Sequence, residues 1–157
     1  MPPINPRQLA LDCLLEANIQ RKLVLTAAAN AAIQSQATWA QDPASPAIVA
    51  ITLPGRPAKP ELVQPNQLVQ RKLNSPEGRA ALIHAVAHIE FNAINLAWDA
   101  VYRFPGLPDD YYRDWASVAA DEARHFQLLS ARLAELGHAY GDFPAHNGLW
   151  QMACDTA

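Results

Sequence analysis

The sequence predicts an all-α fold built around an antiparallel helix pair, and three observations carry that prediction. Apolar residues recur at helical spacing over two long stretches, 75–103 and 109–136. Each stretch carries start and stop signals of its own. Each also carries an acid inside its apolar stripe, Glu90 in the first and Glu122 in the second.

The first helix starts at a clear boundary. Ser75 is a good N-cap, Pro76 suits the first helical position, and Glu77 favours the positive helix end. Ile83, Val86, Ala87, Ala93, Ile94, Ala97 and Val101 all return to the Glu90 face. Leu82, Ile89, Phe91, Leu96 and Trp98 lie off that face, so the helix should pack against more than one partner. His84 and His88 are spaced like metal ligands, but the helical period turns them roughly 120° and 160° away from Glu90. They read first as hydrogen-bonded structural histidines. His88 is also a candidate to orient a metal ligand.

Phe104-Pro105-Gly106-Leu107-Pro108 ends that helix. Asp109 or Asp110 should cap the next, which runs to about Leu136 and stops at Gly137. Within it stands Glu122-Ala123-Arg124-His125, whose Glu and His lie about 60° apart on one face. Trp115, Val118, Ala119, Phe126, Leu129 and Leu133 share the Glu122 stripe. A carboxylate and an imidazole on a buried stripe are costly unless paired or bound to metal. Glu-x-x-His is also the spacing by which ferritin-like bundles hold two iron or manganese ions, and a Glu on the neighbouring helix completes half of such a site. Asp121 is placed either to accept the free N–H of His125 or to sit solvated on the seam edge. Glu135 points to the opposite side.

Three regions follow from composition. Residues 1–36 read as an N-terminal helical segment, helical from about 6 to 36 with a possible break at 18–22. Residues 37–74 are a Pro-rich extended connection, with prolines at 43, 46, 54, 57, 60 and 65 and a short turn expected within 66–73. Its Arg56, Lys59, Arg71 and Lys72 form either a basic rim or ordinary solvated charge. Residues 75–157 hold the helix pair and a C-terminal loop, 138–150, which reads as a structured turn, with Leu149–Ala153 able to begin another helix. From that loop Asp142 and His146 could approach the site, although no catalytic spacing supports it.

The totals bound the function. Fifteen acids against twelve Lys and Arg give a net charge of −3, and the scattered basic residues suggest no nucleic-acid surface. Cys13 and Cys154 have neither metal-ligand nor disulfide-framework spacing. The N-terminus lacks the basic and apolar regions of a signal peptide, and no apolar run approaches a membrane span, so a reduced cytoplasmic setting is expected.

Several motifs together resemble the ferritin-like family known as DUF455, related to the tRNA-hydroxylating, di-iron MiaE-type proteins. They are Pro54-Gly55-Arg56-Pro57, Ser75-Pro76-Glu77-Gly78-Arg79-Ala80, His84-Ala85-Val86-Ala87-His88-Ile89-Glu90, Arg103-Phe104-Pro105-Gly106-Leu107-Pro108, Asp121-Glu122-Ala123-Arg124-His125-Phe126 and Tyr140-Gly141-Asp142-Phe143-Pro144-Ala145-His146. The resemblance covers most of residues 54–153. It implies that Glu90, Glu122 and His125 are the metal ligands of a first half-site. Members of the family continue further and supply a second Glu helix and a second Glu-x-x-His helix. This sequence lacks them, so it is expected to be either a fragment or a half-bundle completed by another chain.

The leading functional expectation is a dimetal oxidoreductase or oxygenase that activates dioxygen, with Fe or Mn held by carboxylate and imidazole. A homodimer would complete the ligand set. Oxidation of a tRNA nucleoside follows from family analogy alone, and the weak basic character argues against it. The alternatives are two: a metal-free helical packing or interaction module that is a truncated relic with an empty half-site, or iron storage or detoxification.

Overall fold

The computed structural model describes residues 3–36, 39 and 44–156, and its architecture is the expected all-α one. Among the described residues five α-helices follow in order: α1 (Pro6–Leu15), α2 (Ile19–Ser35), α3 (Pro76–Arg103), α4 (Asp109–Glu135) and α5 (Gly148–Asp155). Among the described residues there is no β-strand, only an isolated parallel bridge between Leu62 and Ala145.

The N-terminal segment is two helices. Asn5 caps α1 by accepting from the amides of Arg7 and Gln8, and Pro6 stands at the first turn. The break falls at residues 16–18, slightly before the expected place, because Asn18 opens α2 by accepting from the Arg21 amide. Lys22, with no exposed surface, locks this corner. Its ammonium donates to Leu14 O at 3.3 Å, to Gly55 O at 2.7 Å and to Asn95 Oδ1, and it lies 5.3 Å from the centre of the Phe91 ring. Gly55 packs directly on the end of α1. A Cβ there would stand 2.3 Å from the carbonyl oxygens of Leu15 and Glu16, so only glycine fits.

Residues 37, 38 and 40–43 of the long connection, Pro43 among them, lie outside the described residues; from residue 44 on it is tied to the helices at intervals. The Tyr102 hydroxyl donates to Ala47 O and accepts from Val49 N, each at 2.8 Å. Trp150 Nε1 donates to Ile51 O at 3.2 Å. The short turn expected within 66–73 is a single 3-10 turn, Pro65–Gln67, slightly earlier.

The main pair, α3 and α4, has local causes at each end. Ser75 Oγ accepts from Gly78 N at 3.0 Å and starts α3. The turn after it is held by two tyrosines: Tyr111 Oη donates to Ala100 O at 2.7 Å, and Tyr112 Oη donates to Phe104 O while accepting from Leu107 N. Asp109 and Asp110 do not cap α4. The cap position is Pro108, which makes no side-chain cap bond, and the two acids occupy the first turn, where they still favour the positive helix end. Gly137, at φ +80°, closes α4, with His138 N donating to Leu133 O at 2.9 Å. The helix expected near Leu149 begins at Gly148, two residues inside the stretch read as loop.

α3 is long and apolar enough to cross a membrane by length and composition, contrary to the sequence expectation. Half of that apolar window is buried inside this fold, where the helix packs against α1, α4 and α5. Its buried positions include His84, His88, Asn92, Asn95 and Asp99, so packing within the protein accounts for its apolar character.

Candidate metal centre

Glu90 stands midway along α3, facing the Glu122–His125 turn of α4. One oxygen or nitrogen of each of the three residues lies within 4.8 Å of the others. His125 Nδ1 is 3.2 Å from Glu122 Oε2 and 3.9 Å from Glu90 Oε2. The carboxylates are mostly covered, 20% and 24% exposed at Glu90 and Glu122, whereas His125 is 45% exposed. The imidazole therefore closes the cluster from the solvent side.

The electrostatics are those of acids held together without enough positive charge. Burial, then the hydrogen bond and negative charge of Glu122, push Glu90 up to about 7, opposed by His125. A divalent cation with oxygen and imidazole donors would relieve that repulsion, so the donor set fits iron or manganese. A pH dependence follows. The folded-state pKa of Glu90 lies above its ordinary value of 4.5, so its contribution to stability is present below pH 4.5 and lost as pH rises to about 7. Metal must displace the proton, so affinity should climb as pH rises toward 7 and level off above it. A metal titration at several pH values checks this, and Glu90→Gln should flatten the stability slope. A slope unchanged in that variant would assign the titration elsewhere.

The seam around the cluster is more open than the sequence suggested. Trp115 and Val118 were expected on a buried stripe but are 38% and 37% exposed. Leu82 on α3 and Phe104, just past the end of that helix, are also exposed. α4 buries a sector displaced to one side of Glu122, containing Tyr112, Ala116, Ala119, Ala123 and Phe126. Glu122 and His125 sit at the edge of that sector, not at its centre.

Asp121 and His88, the two candidates to orient the ligands, take the alternative roles that the sequence left open to them. Asp121 pairs with Arg124 at 3.0 Å, one turn along the exposed side of α4. His88 is bound on both nitrogens: Nδ1 to Tyr140 Oη at 2.8 Å, and Nε2 to His146 O at 2.9 Å and Asn92 Nδ2 at 3.0 Å. His84 accepts from Gly141 N at 2.9 Å and stacks on Tyr140. Both are structural histidines that anchor the C-terminal turn to α3. Asp142 stays within its own turn, accepting from Ala139 N at 2.8 Å, and His146 Nδ1 accepts from Gly148 N at 3.1 Å. The basic residues of the connection divide: Arg56 donates to Pro60 O, Arg71 lies 5.1 Å over the Phe143 ring, and Lys59 and Lys72 are exposed.

Fold and cluster together define the class: an all-helical protein with two carboxylates and an imidazole gathered on an antiparallel helix pair. The chain belongs to the DUF455 family, whose model, described as a protein of unknown function, matches residues 15–157. It is similar to a protein of Haemophilus influenzae (strain ATCC 51907 / DSM 11121 / KW20 / Rd) named "Uncharacterized protein", with 47% identity over 108 residues. That match covers 64% of this chain and 38% of the relative, so the chain spans well under half of the relative's length. No solved structure matches.

Proposed function

We propose that the protein is a ferritin-like dimetal-carboxylate protein, an oxidoreductase or oxygenase acting on dioxygen with iron or manganese. The observation that carries this reading is the convergence of Glu90, Glu122 and His125 donor atoms within 4.8 Å, on two adjacent helices. Bound iron or manganese would supply redox chemistry toward dioxygen. The chain's own residues would hold and shield it. Glu90 and Glu122 offer four oxygens that can bridge or terminate, and His125 offers one nitrogen. Ile94, Ala97 and Phe126, all buried on the facing helices, keep water from the inner side.

A full dimetal site needs four carboxylates and two histidines on four helices, and this chain contributes two of the carboxylates and one of the histidines. A second copy related by a two-fold axis would bring an identical set. It would also cover Trp115 and Val118, apolar side chains exposed on neighbouring turns of α4. Light scattering during Fe(II) or Mn(II) titration tests this directly. The expected result is a dimer that takes up metal in proportion to paired chains, with elemental analysis confirming retention.

The second reading, a metal-free packing module, draws on the direct contact of His125 with Glu122 at 3.2 Å, which satisfies both groups without metal. A stable monomer with no metal uptake would leave it standing. Iron storage would show itself as iron oxidation with no organic substrate consumed.

A further inference from the structure

A cavity of about 360 Å³ lies on the side of α3 turned away from Glu90. Leu68, Ala81, Phe143, Pro144 and Leu149 form apolar walls, contributed by the stretch after the 3-10 turn, by α3 and by the turn before α5. The volume is more than twice the ~150 Å³ that accommodates a benzene ring in an engineered core. Two further lining residues, Val69 and Ile89, remain exposed, so the cavity presents apolar surface at its mouth.

The side-chain polar groups on its lining are unusual because those left free are all donors. His84 is 1% exposed and its Nε2 accepts from Gly141 N, which places the ring proton on Nδ1. Burial holds this imidazole neutral, with its pKa down to about 4. That Nδ1–H has no acceptor among the described residues. His146 repeats the arrangement: Nδ1 accepts from Gly148 N, leaving the proton on Nε2, again without an acceptor among the described residues. Arg71 adds a guanidinium, stacked on Phe143 and only loosely paired with the exposed Glu77 carboxylate at 3.8 Å. His88 lines the cavity too, but both of its nitrogens are engaged. Apolar walls select an apolar body, and donors without side-chain acceptors select an anionic head. A phosphate dianion would bring more charge and more oxygens than one guanidinium and two imidazole N–H groups can satisfy, whereas a carboxylate matches them.

We propose that this cavity binds a small organic carboxylate with an aromatic or branched apolar body, its head met by the N–H donors of His84, His146 and Arg71. The site is separate from the carboxylate–imidazole cluster and stands whether or not that cluster holds metal. The test is an NMR titration of the ¹⁵N-labelled full chain with 2-naphthoate, 2-naphthamide and inorganic phosphate. Naphthoate should shift the amide signals of Gly141, Gly148 and Leu149 and bind about tenfold tighter than the amide, which corresponds to ~1.4 kcal/mol. Arg71→Gln should close that gap by weakening the acid alone. Ala85→Trp, at an exposed lining position, should abolish the shifts while circular dichroism stays unchanged; Val69→Trp at the mouth serves if that variant misfolds. Equal binding of acid and amide, phosphate binding as tightly as naphthoate, shifts centred on α4, or no shift at millimolar ligand would each overturn the proposal.

Discussion

Glu122→Ala should abolish metal uptake and leave the helices intact. Glu122 acts on both other donors: it lies 3.2 Å from His125, and its negative charge helps to raise the pKa of Glu90. Removing it takes two of the five donor atoms the chain offers. The position is at the edge of the buried sector of α4, so truncation leaves no large cavity. His125→Ala should act in the same direction with a smaller effect, because its ring is the most exposed of the three. The companion variant Glu90→Leu separates metal loss from damage. It removes a mostly covered acid whose ionisation is already disfavoured, so the metal-free protein should become more stable. Elemental analysis and thermal melts read the two effects independently. Unchanged iron or manganese content in Glu122→Ala would end the metal assignment, and a sharp loss of apo stability in Glu90→Leu would show that the carboxylate supports the fold.

Lys22→Met should cost about 3 kcal/mol of folding stability, a large share of the 5–15 kcal/mol typical of a domain. Methionine keeps the apolar stem and removes the ammonium. Leu14 O retains a partner, since it also accepts from Gly55 N at 2.8 Å. Gly55 O and Asn95 Oδ1 lose the lysine donor, and Asn95 Nδ2 is already a buried donor without a partner. Burial pushes Lys22 down to about 7, which records how strongly this position resists charge. The polar acceptors, not a counter-ion, are what hold it there. Urea denaturation measures the change, and a shift below ~0.5 kcal/mol would mean that the corner between α1, Gly55 and α3 carries little of the stability.

The sequence by itself determined what local chemistry controls. The limits of α3 and α4 were legible because Ser75 caps its own helix three residues away and Gly137 takes the left-handed conformation that ends one. The facing of Glu90 toward Glu122 and His125 was legible for the same kind of reason, since helical spacing and a short turn fix which faces meet. A buried Lys22 was not legible. A lysine in an Ala-rich helix reads as solvated surface, and two of its three acceptors lie 33 and 73 residues away. His84 and His88 also take their partners from a turn more than 50 residues downstream, so spacing alone could not say whether they bind metal or anchor a loop. Periodicity identified the apolar stripe of α4, but it could not say which flank would be covered. Only the packing of α2 and α3 against one side of that stripe decided it, burying Phe126 and leaving Trp115, Val118 and the ring of His125 at the open edge.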